Sequence, residues 1–518
     1  MFRLRSFLRP GAAALAALTF SSQLLMAQDL PEMSAIEQAW QRGDFITVRE
    51  GLKQLAEQTD RPLAHYRYGR VLLEGRGGPV DVPGAVEWLQ RAADGNDVKA
   101  ATLLARIYLS QMPNGPARDT EQAAVLLNKA ATRGEAEAQY YLALLYKQGE
   151  GLPKDLTQAF NWLLASAEQG YIESQYELAN AYAEGFGTPK NTPQALRWLS
   201  MAADGGHANA QFFLAMAMDQ GQGAPLDRRA ALGWLRRAAE SGHVIAQRFL
   251  GKKYLQGDGT EANEAEAVRW LQSAAKAGDG VAYYLMGTAF RGDFGIPADA
   301  KQAWDMFHAA SQHSYGPATT AMGRMLETGQ LGTVNLADAV TLYRRALQQG
   351  DQAAAVHLGK MAGAGTLEGL APPHLAVPWA MAAADNGDSA ALDWVHGQAK
   401  AGLRPAQATY GIWLTKQGRA TDAVAFLQSA AQKGGIDAQY QLGLMRTTGN
   451  GIEQDYVRAH SWMNIAATSG HTEAAQKRDV LNDLLTPEQV AEAQALTRAY
   501  FQAARKAGLD SAQEAGRE

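Results

Sequence analysis

Residues 138–173 read AQYYLALLYKQGEGLPKDLTQAFNWLLASAEQGYIE, and residues 174–209 read SQYELANAYAEGFGTPKNTPQALRWLSMAADGGHAN. The two stretches align without a gap, so the chain repeats itself with a period of 36 residues. A repeat array, rather than one globular core, therefore explains a chain of 518 residues. Eleven matching units start at Ala64, Ala100, Ala138, Ser174, Ala210, Ala246, Ala282, Ala318, Ala354, Ala406 and Ala438.

Each unit has the pattern of two helices. In the unit at Ala138, small or apolar residues recur four positions apart at Ala138, Leu142 and Tyr146, which is the spacing of a helical stripe. A glycine turn and a polar loop follow. A second stripe, QAxxWLxxAA, then ends at a glycine such as Gly170. One helical hairpin cannot bury its own apolar face, whereas stacked hairpins can, so the pattern predicts an all-α fold, an α-solenoid of antiparallel helix hairpins.

The quoted unit, with its GxG turn, D…A…W segment and AAxxG ending, resembles the Sel-one-like repeat (SLR). This repeat is a longer-looped relative of the tetratricopeptide repeat (TPR), and the resemblance covers about residues 64–474. The stretch AHSWMNIAATSGHTEAAQKRDVLNDLLTPEQVAEAQALTRAY also resembles the usual closing segment of bacterial, exported members. The resemblance implies a TPR-like superhelix and a protein-interaction function.

Departures from the repeat pattern suggest how the chain is organised. We expect an N-terminal capping hairpin at 28–63, nine repeats at 64–390 and two further repeats at 406–473. Residues 391–405 have room for one helix and no partner, so we expect an irregular single-helix seam there. C-terminal capping helices follow at 474–507, where Thr486 and Gln489 predict a capping box, and residues 508–518 are expected to form a flexible tail.

The N-terminus predicts export. Arg3, Arg5 and Arg9 precede an apolar run at 11–20 that is too short to span a bilayer, and LLMA offers a cleavage site after Ala27. Residues 1–27 therefore read as a cleavable signal peptide of the general secretory route, with a periplasmic or secreted product. The chain has no cysteine, so it is not expected to be a lipoprotein, and no later segment reads as transmembrane.

The net charge of the chain limits the kinds of partner that it can bind. The net charge of −5 becomes −8 once the three arginines of residues 1–27 are removed, which argues against nucleic acid as a partner.

The residues that suggest chemistry fit the repeat scaffold better. Glycine pairs such as Gly149 and Gly151 follow a helix rather than a buried strand, so they predict a sharp turn and not a nucleotide loop. The tryptophan column, which includes Trp162, alternates with Leu, Met and Phe in other units, which indicates core packing. His207 and His243 are interpreted as solvated turn residues. We predict no catalytic residue, no cofactor and no metal site, hence no enzyme.

What remains is the groove that the TPR resemblance implies along the first helices. When the TPR pattern is carried over to this sequence, two positions of each unit face the groove. They are the position two after the unit start, which is often aromatic, and the position four further on, which is often polar or basic. A basic, tyrosine-lined groove would suit an acidic peptide or an anionic glycan, whereas the alternative is that the tyrosines pack between helices. The candidate partner-binding residues are Tyr66, Arg70, Arg106, Tyr140, Tyr176, Asn180, Phe212, Lys252, Tyr284 and Arg324.

The expected function is a non-catalytic periplasmic scaffold or adaptor that binds an envelope protein or peptide segment through this groove. The alternative is an adaptor in an exopolysaccharide secretion or envelope-assembly apparatus, which would bind an anionic polymer or an outer-membrane pore protein. A third class, a peptidoglycan hydrolase, finds no supporting residues in the sequence.

Overall fold

The computed structural model describes residues 31–507, and the expected signal peptide and C-terminal tail lie outside the described residues. The described chain contains 27 α-helices and no strand, which confirms the predicted all-α class. It divides at residue 246 into two compact units, each described here by itself. The helices of the first unit are α1 Pro31–Gln41, α2 Phe45–Gln58, α3 Pro62–Glu74, α4 Val82–Asp94, α5 Val98–Leu109, α6 Thr120–Ala131, α7 Ala136–Gln148, α8 Leu156–Glu168, α9 Ile172–Glu184, α10 Thr192–Asp204, α11 Ala208–Gln220 and α12 Arg228–Glu240.

Helix α13, Val244–Gln256, contains the division between the units, and fourteen helices follow it. They are α14 Glu264–Lys276, α15 Gly280–Phe290, α16 Ala300–Gln312, α17 Gly316–Glu327, α18 Leu336–Gln348, α19 Ala353–Gly363, α20 Pro373–Asp385, α21 Ser389–Lys400, α22 Arg404–Lys416, α23 Ala420–Gln432, α24 Ile436–Thr448, α25 Tyr456–Thr468, α26 Thr472–Asn482 and α27 Pro487–Lys506.

Helices pair within each repeat, and each pair stacks on the next along the chain. In the first unit α7 packs against α8, and α8 packs in turn against α9. The second unit repeats this arrangement, with α22 on α23 and α23 on α24. Helix α21 differs, because it has no hairpin partner of its own and packs on α19, α20 and α22. The predicted stack of helix hairpins is therefore confirmed.

Aspartate or asparagine begins most second helices. The side chain of Asp155, for example, accepts hydrogen bonds from the backbone amides of Thr157 and Gln158 at 2.9 and 3.0 Å. Such a cap satisfies amides that have no partner within the helix. At the C-terminal end, Thr486 and Gln489 form the predicted capping box of α27.

The two glycines of each GxG turn have different functions. Gly149 ends α7 in the left-handed conformation, with φ at 75°, as predicted. Gly151 also has a positive φ, at 68°, but a Cβ there would lie 2.2 Å from the carbonyl oxygen of Thr120 in the preceding repeat. The second glycine therefore lets two repeats approach each other closely.

Most tryptophans of the column border the core, whereas Trp198 and Trp270 are buried in it. Trp162 is half-buried and packs against the hydrophobic cores on both sides of it, so the predicted packing function is confirmed. The residue after most of these tryptophans is fully buried, as with Leu163, whereas at Trp198 the tryptophan is buried and Leu199 is half-buried. In the second unit Phe307 and Tyr343 take this position, and the hydroxyl of Tyr343 donates a hydrogen bond to Glu327.

In six of the eleven units, a buried glutamine follows the unit start, and in several of them it binds the end of the preceding second helix. The side-chain amide of Gln139 donates to the carbonyl oxygen of Ala131 at 3.2 Å, and Gln175 donates to Ala167 at 3.3 Å. The same carbonyls also accept hydrogen bonds from the backbone amides of Gly134 and Gly170, both at 2.9 Å, so each glutamine adds a second hydrogen bond at the end of a helix. The recurring AQY of the sequence thus combines a core alanine, a capping glutamine and an aromatic residue.

Candidate protein-binding site

The predicted aromatic residues lie in the contacts between successive repeats. The ring of Tyr140 lies 5.3 Å from that of Tyr171, and the ring of Phe212 stacks on His243 at 4.7 Å. Tyr140 and Phe212 are only 7% and 8% exposed, so their side chains pack between helices, which was the alternative interpretation. Burial, reinforced by the carboxylate of Glu177, raises the pKa of Tyr140.

Four other predicted residues, three tyrosines and one asparagine, keep part of their surface free. Tyr66, Tyr176 and Tyr284 are half-buried, as is Asn180. Tyr176 stacks on His207 with ring centroids 4.3 Å apart, and Tyr284 contacts Tyr315 at 5.2 Å. These side chains stabilise the stack while exposing an edge to solvent.

The histidines are not solvated turn residues, which corrects the sequence interpretation. The Nδ1 atoms of His207 and His243 accept hydrogen bonds from the amides of Ala210 and Ala246, at 3.2 and 3.0 Å. Each imidazole therefore caps the start of a first helix while its ring stacks on an aromatic residue of the preceding first helix. Burial lowers the pKa of both histidines.

The two predicted cations of the first unit form ion pairs within the protein. Arg70 forms an ion pair with Glu74 at 2.6 Å, on the same helix. Arg106 pairs with Glu137 of the next repeat at 2.9 Å, and its guanidinium lies 5.6 Å from the ring centre of Tyr141. The first unit therefore does not present the basic lining that the sequence suggested, because its cations already contact carboxylates.

The two predicted cations of the second unit differ from these. Lys252 and Arg324 are exposed on α13 and α17, and no ion pair to either is found among residues 31–507. Lys360 is likewise exposed, on α19. These side chains keep their charge available to a ligand, and no contact described here brings Lys252 and Arg324 together.

Two general features limit other kinds of site. No three histidine, cysteine, aspartate or glutamate side chains of the described chain are grouped so that they could hold a metal ion. Among the helices of residues 31–507, none has the length and apolarity needed to cross a bilayer.

The repeats match a known family. The model of the Sel1 repeat matches residues 62–97, 98–135, 136–171, 172–207, 208–243, 244–279, 280–315, 316–351 and 436–471. The chain belongs to the Sel1 repeat family. The matched ranges begin two residues before nine of the eleven predicted unit starts, so the Sel-one-like resemblance is confirmed. The units that start at Ala354 and Ala406 lie outside the match.

Solved structures with the same fold resemble this Sel1 repeat protein. One is the crystal structure of c5321, described as a protective antigen of uropathogenic Escherichia coli strains that displays an SLR fold. It shares 25% identity, covers 88% of this chain and 94% of its own, and has a TM-score of 0.59. Another is a Sel1 repeat protein from Oxalobacter formigenes, with 27% identity, coverage of 60% and 89%, and a TM-score of 0.44. No curated protein sequence matches significantly.

The structure of this Sel1 repeat protein exposes residues that sequence reasoning missed. Phe213 is 49% exposed on α11, one position after the buried Phe212, and Tyr141 is half-buried directly after Tyr140. The paired aromatics, YY and FF, were the available signal. Because neighbouring side chains on a helix point about 100° apart, only one of each pair can enter the contact between repeats.

Proposed function

We propose that this protein is an exported, non-catalytic scaffold that binds a protein partner through the exposed faces of its first helices. Repeat stacks present large surfaces to partners, and Sel1 repeats form such stacks. The observation that carries the proposal is the exposure of Phe213, Lys252 and Arg324, since none of these three side chains is required to fill the core. Exposed aromatic and arginine side chains are the types that dominate binding energy at interfaces.

Photo-crosslinking in the native cell tests this function. A benzoylphenylalanine at position 213 or 324 should give discrete crosslinked products with a partner protein. The same residue at position 125 is the matched control, because Val125 is 65% exposed but lies on a second helix, α6. Products of equal yield at all three positions, or none, would contradict binding through the first helices.

The proposal includes the cell compartment. We propose that residues 1–27 are removed on export and that the protein acts in the periplasm. N-terminal sequencing of the protein from fractionated cells should begin at Gln28. Recovery of an uncleaved chain from the cytoplasm would overturn this part.

A second candidate function is an adaptor for an anionic polymer, as in an exopolysaccharide secretion apparatus. The observation that favours it is the exposure of Lys252 and Arg324 without a carboxylate partner in the described chain. Charge reversal at both positions should weaken binding of a polygalacturonate probe roughly tenfold at low salt. The control reverses Lys276 and Arg345, two cations on second helices. Equal affinity of both double variants would exclude this function.

A further inference from the structure

An exposed aromatic face runs across three first helices of the first unit. It consists of Tyr141 on α7, Tyr176 on α9 and Phe213 on α11, and is called the aromatic face below. The rings of Tyr176 and Phe213 lie nearly parallel, with an angle of 21° and centroids 6.4 Å apart. Phe213 also contacts the ring of Phe212, with centroids 5.4 Å apart, and yet remains 49% exposed.

Two cations of the first unit contact aromatic rings as well as carboxylates. Arg106 pairs with Glu137 at 2.9 Å and lies over Tyr141. Lys147 pairs with Glu177 at 2.8 Å, and its ammonium lies 4.5 Å from the ring centre of Phe186. In both cases one cation is held jointly by a carboxylate of the next repeat and by an aromatic ring, an arrangement that adds cation–π attraction to the ion pair.

One repeat further along, the carboxylate is present and the cation is missing. Glu173 occupies the place in its unit that Glu137 occupies in the preceding one, since each directly precedes a unit start. The residue that corresponds to Arg106 is Leu144, which carries no charge. Glu173 is exposed, and within residues 31–507 it forms no ion pair.

Glu173 belongs to the aromatic face. Its counterpart Glu137 pairs with Arg106, whose guanidinium lies 5.6 Å from the ring centre of Tyr141. On α9, Glu173 and Tyr176 are three residues apart and therefore share one side of the helix. The face thus combines exposed aromatic surface with a negative charge that has no partner.

We propose that the aromatic face binds a partner segment in which an arginine or lysine adjoins an apolar side chain. The cation would pair with Glu173 and lie over the neighbouring tyrosine ring, and the apolar side chain would cover Phe213. This inference rests on the proposed scaffold function and adds the chemistry of the partner at the first unit. The partner segment proposed here is basic, whereas the sequence suggested an acidic ligand.

Peptide binding to the full-length protein tests the inference. The probe is a fluorescein-labelled peptide, GSLRFLRFGS, compared with GSLEFLEFGS and GSLRSLRSGS by fluorescence anisotropy. We expect the arginine–phenylalanine peptide to bind roughly tenfold more tightly than either of the others, with an affinity that falls as salt is added. Equal binding of the glutamate peptide, or no binding of the first peptide, would overturn the proposal.

Substitutions then locate the binding. Glu173→Lys and Phe213→Ser should each weaken binding of GSLRFLRFGS roughly three- to tenfold, in the range of a lost ion pair or interfacial aromatic contact. Glu168→Lys and Val125→Ser are matched controls on the second helices α8 and α6, and they should leave the affinity unchanged. Circular dichroism confirms that each variant is folded. Loss of binding in the controls as well would show that the peptide binds elsewhere.

This test is independent of the scaffold function. If photo-crosslinking at position 213 captures a partner whose contacting segment is acidic or uncharged, the scaffold stands and the cationic specificity is wrong. If no partner is captured there, the scaffold function fails at this face whatever the peptide does.

Discussion

Gly151 shows why the second glycine of a turn cannot be replaced. Its φ of 68° is accessible to other residues at a cost, but a Cβ would lie 2.2 Å from one backbone atom of Thr120 and 2.4 Å from another. Gly134 has a similar φ of 88° and nothing within 4 Å of its Cβ position. Substitution at Gly134 therefore measures the cost of the positive φ alone, whereas substitution at Gly151 adds the cost of the backbone contact.

We expect Gly134→Ala to lower the free energy of unfolding by about 1 kcal/mol, the usual cost of a left-handed conformation for an L-residue. Gly151→Ala should lower it by about 3 kcal/mol or more, because backbone cannot move aside as a side chain can. Urea unfolding followed by circular dichroism compares the two variants. Similar losses would show that the contact between repeats is unimportant.

The burial of His207 predicts that the first unit loses stability in acid. Burial lowers the pKa of His207 despite the opposing effect of Glu173 and Glu177, so the folded state holds the imidazole neutral. In the unfolded chain the pKa of histidine is about 6.5. As pH falls below this value, the unfolded state binds more protons than the native state, so the free energy of unfolding decreases until pH drops below the folded pKa.

Replacing His207 by Asn should therefore reduce the loss of stability between neutral pH and about pH 5, while Asn still caps the helix. The measurement is the urea midpoint of wild type and variant at both pH values. His308→Asn is the control, because His308 is exposed. An unchanged pH dependence in His207→Asn would show that the other titrating groups account for acid sensitivity.

At the scale of elements, the helix without a partner is held by close backbone contact. A Cβ at Gly363, near the end of α19, would lie 2.5 Å from the backbone nitrogen of Ala391 in α21. Gly397, within α21 itself, has nothing within 4 Å. Helix α21 therefore depends on one small residue for its position against α19.

Gly363→Ala should separate α21 from α19 and destabilise the second unit by about 1–3 kcal/mol, the usual cost of overpacking. Gly397→Ala should instead be neutral or stabilise by up to about 1 kcal/mol, since alanine is the better helix former. Hydrogen exchange of α21 and α24 distinguishes the outcomes. Unchanged protection of α21 in Gly363→Ala would show that the backbone adjusts without cost.

At the scale of the whole molecule, stability comes from contacts between neighbours in the stack. Leu163 is fully buried among residues of its own and adjacent hairpins, as is its counterpart in most repeats. Repeat stacks of this kind behave approximately as a sum of unit and nearest-neighbour terms. A cavity in one repeat should thus affect its neighbours most.

Leu163→Ala should lower the free energy of unfolding by about 2–5 kcal/mol. Within the first unit, hydrogen exchange should increase most in α7 to α10 and less in α3 and α4. Val125→Ala, at a position 65% exposed, serves as the control and should change little. Uniform loss of protection across the first unit would show that it unfolds as one cooperative block.

The fold could be predicted because its signal recurs with the period of the chain. A helical stripe, a glycine turn and an Asx cap repeated many times leave few alternatives, so errors in one unit are outweighed by the others. Single side chains have no such support. Tyr140 and Tyr141 look alike in sequence, yet Tyr140 is buried between repeats and Tyr141 belongs to the aromatic face.

The sequence by itself determined the family, the helix hairpins and the glycine turns, because these depend on local spacing and backbone conformation. Only the tertiary structure decided that Arg106 is paired, that His207 is a half-buried cap and that Glu173 has no cation partner within residues 31–507. Each of these depends on a residue about one repeat away, and the stacking of helices sets whether two such side chains meet. The charged and aromatic residues along one helix therefore could not predict whether its exposed face would attract a cation or an anion.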